Sequence, residues 1–222
     1  MTPLTEDLVL LLLHPERGRA VVDGTSLDRA IGGALLLDLA LADRISADGD
    51  GAKARLSVRD ALPTGDPLLD AAASRLAGGP VRAQKAVERL ARGSRTTVLE
   101  RLVRRGLVRR EQSRILGIFP STTWPQADAA VANELRARVA AVLRGRARPD
   151  QRVALLISLL HAVKAEHKVV DGPRRELRAR AAEVAAGEWA GAAVRKAVEA
   201  VQASVAAAAT ASAAAASASG GS

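Results

Sequence analysis

The stretch Thr25-Ser26-Leu27-Asp28-Arg29-Ala30-Ile31-Gly32-Gly33-Ala34-Leu35-Leu36-Leu37-Asp38-Leu39-Ala40-Leu41-Ala42-Asp43-Arg44 decides the fold. Thr25 is placed to cap a helix, and Asp28 follows three residues on in the manner of a capping box. Leu35, Leu36, Leu39 and Leu41 then line a helix so nearly apolar all round that it belongs inside a protein. A second leucine run, Leu8 to Leu13, lies upstream behind Thr5, Glu6 and Asp7. Thr5 suits an N-cap, the two acids suit the positive end of the helix dipole, and Pro15 stops the helix after His14. Two apolar helices so early in the chain need further elements to cover them.

Working outward, Asp23-Gly24 reads as the turn before the central helix. Downstream, Asp48-Gly49-Asp50-Gly51 separates Ile45 from the alternating Arg55-Leu56-Ser57-Val58, the pattern of a small hairpin. Asp48 and Asp50 begin like a calcium loop, but its closing position requires a bidentate Glu and holds Arg59, so the turn reading stands. Asp66 can cap and Pro67 can open a helix through Leu76, which Gly78-Gly79-Pro80 ends. Another helix follows from Val81 to Arg92. Gly93 breaks it, Ser94 is placed as the next N-cap, and Val98, Leu99, Leu102 and Val103 repeat at helical spacing until Gly106. Beyond it, Leu107-Val108 and Arg114 to Phe119 read as two strands flanking Glu111-Gln112-Ser113. Helical patterns then cover 127–144, a segment from Asp150, and roughly 173–186 and 188–203. The expected fold class is mainly α: a single globular helical domain over residues 1–203 with small peripheral β-hairpins. Residues 204–222, almost wholly Ala, Ser, Thr and Gly, read as a frayed tail.

Composition narrows the function. The 222 residues carry 33 Lys and Arg against 24 Asp and Glu, a net charge of +9, which points to an anionic partner: nucleic acid, an acidic protein or a membrane surface. With no cysteine there is no disulfide framework, cysteine zinc site or thiol nucleophile, and nothing indicates an oxidising compartment. Aromatic rings are confined to Phe119, Trp124 and Trp189, which argues against base stacking on single-stranded nucleic acid. The run from Leu8 to Leu13 is too short to span a bilayer and follows acids where a signal peptide would carry positive charge. A soluble, intracellular chain that at most sits on a membrane is expected.

Catalytic constellations do not emerge. His161 and His167 are six residues apart and miss a common helix face, His14 stands beside Pro15, and no phosphate-binding glycine loop or nucleophile elbow occurs. No catalytic residue, cofactor or metal is expected. Arginine says more: Arg92, Arg95, Arg101, Arg104 and Arg105 surround one short helix, with Arg109, Arg110 and Arg114 beyond it. With Ser94 as the cap, Arg92 lies just outside the helix and Arg95 in its first turn. A phosphate there would meet free backbone N–H groups, the helix dipole and two bidentate guanidinium groups. Solvation of a helix face accounts for the same arginines without any ligand. Helix, Gly106 and hairpin also outline a winged-helix nucleic-acid-binding unit, although Val98 to Arg105 lacks the Asn and Gln of a base-reading face.

Four segments together resemble the Golgi phosphoprotein 3 family: Pro63-Thr64-Gly65-Asp66 followed by Leu68-Leu69-Asp70, Leu4-Thr5-Glu6-Asp7 before the leucine run, Gly33 to Leu41, and Arg101-Leu102-Val103-Arg104-Arg105-Gly106-Leu107. The similarity runs from about Leu4 to Val198. It implies one mainly helical domain with an exposed basic pocket for phosphatidylinositol 4-phosphate, the lipid that brings eukaryotic members to Golgi membranes, where they bind cytoplasmic tails of glycosyltransferases. The family's two pocket arginines before and at the start of the helix preceding the hairpin fall on Arg92 and Arg95. Its pocket tryptophan corresponds to Asp23 and a further arginine to Gly32; Arg29, one turn before Gly32, is the expected third contact. The family's hairpin, placed here at residues 107–119, takes part in self-association.

The bias toward Ala, Arg, Leu, Gly and Val is that of a high-G+C genome, and the family includes actinobacterial members, so a bacterial source is expected. The functional expectation is a non-catalytic, cytoplasmic peripheral membrane protein that binds phosphatidylinositol 4-phosphate or a related anionic headgroup through Arg92, Ser94, Arg95 and Arg29. It would act as an adaptor for a membrane-protein client, and nucleic acid is the less favoured partner.

Overall fold

Both leucine runs form helices, and a buried aspartate joins them. In this computed structural model, which describes residues 2–59, 62–115, 119–187 and 197–205, α1 (Leu4–Leu12) is buried along its whole length. Pro3 occupies its N-cap and supplies no side-chain bond. Asp38, from the middle of α2 (Gly24–Leu41), serves instead: it accepts from Leu4 N at 2.7 Å, Thr5 N at 3.0 Å and the Thr5 hydroxyl at 2.6 Å. Thr5 is therefore not the cap expected from local spacing; its hydroxyl donates to Asp38, an acceptor 33 residues away. The helix ends at Leu12, before His14, because Leu13 turns to an extended conformation and bridges Ala20.

The cap of α2 also differs from expectation. Asp23 accepts from Ser26 N at 2.9 Å and from the Ser26 hydroxyl at 2.6 Å, so the helix begins two residues before Thr25 would have allowed. Asp28 is left free of the capping box and is used elsewhere. Two adjacent glycines let α2 act as the central helix. A Cβ on Gly32 would lie 2.4 Å from the Val87 carbonyl oxygen, and one on Gly33 would lie 2.8 Å from Val201 Cγ1 and 3.3 Å from Leu159 Cδ2. Neighbouring elements thus close on α2 from two sides.

After α2, β1 (Ile45–Asp48) and β2 (Arg55–Val58) pair antiparallel as expected, Ile45 opposite Val58, with a 3-10 turn over Gly51–Lys53 between them. Next come α3 (Pro67–Leu76), capped by Asp66 through Leu68 N at 2.9 Å, and a two-residue strand, β3 (Val81–Arg82), which completes the sheet against Arg55 and Leu56. The first two residues expected to be helical are thus strand, and α4 runs from Ala83 to Ala91. α5 covers Ser94–Arg104 and stops at Gly106 with φ of 70°.

The second hairpin exists but is displaced along the chain. β4 (Glu111–Ile115) pairs with β5 (Phe119–Thr123), so Glu111-Gln112-Ser113 is strand rather than turn, opposite Ser121-Thr122-Thr123. Leu107 and Val108 are buried at the base, where Val108 bridges Gln126. The apolar pair serves the core, and polar residues that pair across strands form the ladder. Leu116, Gly117 and Ile118 lie outside the described residues. α6 (Ala129–Leu143), α7 (Gln151–Ala162), the short α8 (Glu166–Val169) and α9 (Arg174–Ala186) follow, and residues 197–205 are helical with Val198, Val201 and Val205 buried. This helix continues through Ser204 and Val205; the rest of the expected tail, 206–222, lies outside the described residues, as does 188–196. The chain is mainly α with two small antiparallel sheets.

Candidate functional site: the junction of α4 and α5

The arginine-rich helix begins with a reversal of the chain that only glycine takes without strain. Arg92 is extended, Gly93 has φ of 73° and takes the N-cap position, and α5 starts at Ser94. No heavy atom lies within 4 Å of where a Cβ on Gly93 would sit, so this end of the helix is open. Ser94 is consequently the first helical residue and not the cap. It is buried, and its hydroxyl donates back to the Leu90 carbonyl while accepting from Arg75 Nη1 at 3.1 Å. Arg75, in the last turn of α3, also donates from Nη1 to the Arg92 carbonyl at 2.9 Å.

Arg92 and Arg95 flank this turn in different electrostatic states. The exposed Arg92 side chain makes no hydrogen bond or ion pair among the described residues. Arg95 crosses to the start of α2, its Nε donating to Asp28 Oδ1 at 2.7 Å and its Nη2 to the Gly24 carbonyl. The structure therefore brings Arg92, Ser94 and Arg95 together. Arg29 is half-buried on α2, next in the chain to the aspartate that holds Arg95.

Asp23 and Gly32, at the two divergent pocket positions, have structural tasks. The hydrogen bonds from Ser26 hold the Asp23 carboxyl below the usual carboxylate range, so it is a standing negative charge on the N-terminus of α2. Gly32 faces the α4 backbone, where no arginine side chain fits. Three acids, Asp23, Asp28 and Asp38, thus share the helix that packs beside the basic turn, and two of them stand near its N-terminus.

Several other arginines of the cluster serve the interior. Arg101 donates to Glu6 and, as a fork, to both Asp66 oxygens at 2.6 Å; Arg105 also binds Glu6, which is fully buried. Burial opposes ionisation of Asp66, but the bonds from Arg101 and Leu68 N outweigh it and hold its carboxyl low. Arg110 lies over the Trp124 ring at 5.7 Å, and Arg109 pairs with Glu111 at 3.5 Å. Arg101 and Arg105 are thus tied to α1, and Val98, Leu99 and Leu102 are buried, so two of the arginines that suggested a nucleic-acid-binding face serve packing instead.

Local sequence reasoning missed Arg75 and Asp28. Arg75 reads as a basic residue suited to a helix C-terminus, and Asp28 as part of a capping box; their contacts are 17 to 67 residues distant along the chain. Elsewhere, His161 Nδ1 lies 2.6 Å from the buried Glu166, beside a cavity of about 390 Å³ lined by Ala182, Ala186, Val198, Glu199 and Gln202. Glu166 fixes the ring orientation. Among the described residues no helix is long and apolar enough to cross a membrane, and no group of His, Asp and Glu is arranged to hold a metal.

Comparison with protein families gives a match over residues 4–201 to the model described as Golgi phosphoprotein 3 (GPP34). A search of curated proteins gives no match.

Proposed function

The chain belongs to the Golgi phosphoprotein 3 family, and from that premise we propose that it is a peripheral membrane adaptor. It binds the phosphate of phosphatidylinositol 4-phosphate or a related anionic phospholipid and catalyses no reaction. The observation that carries this reading is Arg92, which stands without an ion-pair partner among the described residues where Gly93 opens the N-terminus of α5. A phosphomonoester at that turn would be met by a guanidinium fork and by the first backbone N–H groups of the helix. Arg95 is the second ligand, shared with Asp28, and Arg29 the third. Ser94 contributes by fixing the turn from inside and does not reach out to the phosphate.

The departures at Asp23 and Gly32 favour a smaller and less cationic pocket than the one the resemblance implies. Without the tryptophan wall, discrimination would rest on phosphate charge more than on apolar insertion. A bacterial chain of this kind would act on the cytoplasmic face of the cell membrane, with a membrane-protein client and with self-association through the β4–β5 hairpin. Vesicle flotation tests the reading. Phosphatidylcholine vesicles doped with phosphatidylinositol 4-phosphate should carry the protein up the gradient more efficiently than those doped with phosphatidylserine at equal charge, and R92A/R95A should abolish the difference. Undiminished recruitment of that double variant would refute the site.

A further inference from the structure

We infer that Arg75 is a further phosphate-binding arginine of this site, beside Arg92, Arg95 and Arg29. The inference rests on the headgroup reading above and names a ligand for it that lies outside the α4–α5 segment. Arg75 reaches the turn from α3: a single nitrogen, Nη1, spans the Arg92 carbonyl at 2.9 Å and the Ser94 hydroxyl at 3.1 Å. Its guanidinium is therefore fixed within hydrogen-bonding distance of the residues on both sides of Gly93.

The geometry of the guanidinium decides what remains available. Nη1 is the nitrogen on the side of the Cδ atom, whereas the Nε–H and one Nη2–H point in parallel along the opposite edge. That side-on edge is the one that grips two oxygens of a carboxylate or phosphate. Arg75 spends its inner nitrogen on the protein, and its side-on edge has no partner among the described residues. No carboxylate neutralises it there, in contrast to Arg95 on Asp28 or Arg101 on Asp66 and Glu6. The residue is exposed although its head is anchored at two points. Such an arginine has already lost much of its rotamer freedom, so less entropy is given up when an anion binds.

Arg75 also repairs the charge balance of the site. The family's arginine position on α2 is Gly32, closed by the α4 backbone, and Arg95 is half-neutralised by Asp28. Arg75 and Arg92 are then the two positive charges at the turn that no acid offsets among the described residues.

The test is phosphatidylinositol 4-phosphate vesicle binding by full-length R75A, R75Q and R75K, with R82A, at the opposite end of α4, as a control for loss of one exposed charge. Soluble inositol 1,4-bisphosphate, inorganic phosphate and phosphatidylserine vesicles serve as separate arms to distinguish a lipid-borne phosphomonoester from free phosphate and from general anionic charge. R75A and R75Q should bind about tenfold more weakly, R75K should recover part of the loss, and R82A should bind like the unaltered protein. Glutamine is too short to reach the Arg92 carbonyl that Nη1 now holds, so R75Q loses the anchor as well as the charge, and salt dependence separates the two roles. Loss of a charge that touches phosphate flattens the fall of vesicle binding with added salt in R75A and R75Q, whereas an unchanged slope means that Arg75 acts by position alone and overturns the inference. Normal binding by R75A alongside loss in R92A/R95A overturns it while leaving the headgroup reading intact. Absence of vesicle and inositol phosphate binding by the unaltered protein overturns both.

Discussion

Arg95 and Asp28 are joined across 67 residues by an Nε to Oδ1 bond of 2.7 Å, and this pair puts a carboxylate where a headgroup phosphate would also be drawn. Both side chains are more than a third exposed, so the pair adds little to stability, on the order of 0.5 kcal/mol. Its larger effect is on ligand affinity. D28N should leave the melting temperature nearly unchanged and raise affinity for phosphatidylinositol 4-phosphate vesicles about threefold, the gain expected from releasing a weak surface ion pair. Equal or weaker binding by D28N in a flotation or surface-resonance titration would show that Asp28 does not compete.

Glu6 is the opposite case. It is fully buried, and among the described residues its carboxylate is met by Arg101 and Arg105, which hold α5 against α1. Replacing it with glutamine keeps the shape but leaves two guanidinium groups facing a neutral amide in a poorly solvated place. E6Q should lose about 3 kcal/mol in a urea titration. A loss below about 0.5 kcal/mol would mean that the pairs merely tolerate each other.

Acid dependence follows from Asp66, whose carboxyl Arg101 holds below its usual value. A depressed folded-state pKa means that the folded protein binds fewer protons than the unfolded chain. The associated stability is therefore present above the ordinary carboxylate pKa of about 3.9 and fades as pH falls through the lower folded value. Buried Asp38 has the reverse sign: burial raises its pKa, so its contribution grows as pH falls. D66N removes the first effect and leaves the second. The stability gap between D66N and the unaltered protein should be wide at pH 7 and should narrow steadily below about pH 4; thermal melts at a series of pH values measure it, and a constant gap would contradict the assignment.

What could be read from the sequence divides by distance along the chain. Asp66-Pro67 and Asp150 announced helix starts because a cap acts over two or three residues, and both caps are present. The leucine-rich α1 and α2 were legible because an all-round apolar helix has one place to go. Thr5 and Thr25 misled for the same reason that caps usually inform: local spacing cannot show that Asp38 will supply the acceptor for α1, or that Asp23 will take the cap two residues earlier. At the site, Arg92 and Arg95 followed from helix-end chemistry, whereas the partners that separate their roles, Asp28 and Arg75, arrive from α2 and α3 through folding. Glu6 read as an acid matched to the helix dipole and serves in addition as a buried ligand for two arginines.

Gly32 offers the sharpest test of why this chain departs from the pocket its family resemblance implies. Reinstating arginine at that position would restore the expected charge only if the side chain had somewhere to go, and a Cβ there already stands 2.4 Å from the Val87 carbonyl and 3.0 Å from Ala91 N. Both obstacles are backbone of α4, the helix that ends at the basic turn, so rotamer changes cannot relieve the clash. G32A should therefore destabilise by about 2 kcal/mol, the cost of overpacking a tight helix contact, and G32R by more. Pushing α4 away from α2 would also move Arg92 and Gly93, so G32A should weaken phosphoinositide vesicle binding although it removes no charge. D23W, by contrast, sacrifices only the cap of α2, about 1 kcal/mol, and removes a fixed negative charge from the α2 N-terminus near the turn. Measured side by side by thermal melting and vesicle flotation, D23W should bind more tightly and G32A more weakly. Normal binding by G32A beside tighter binding by D23W would mean that charge at α2, and not the placement of α4, governs the site.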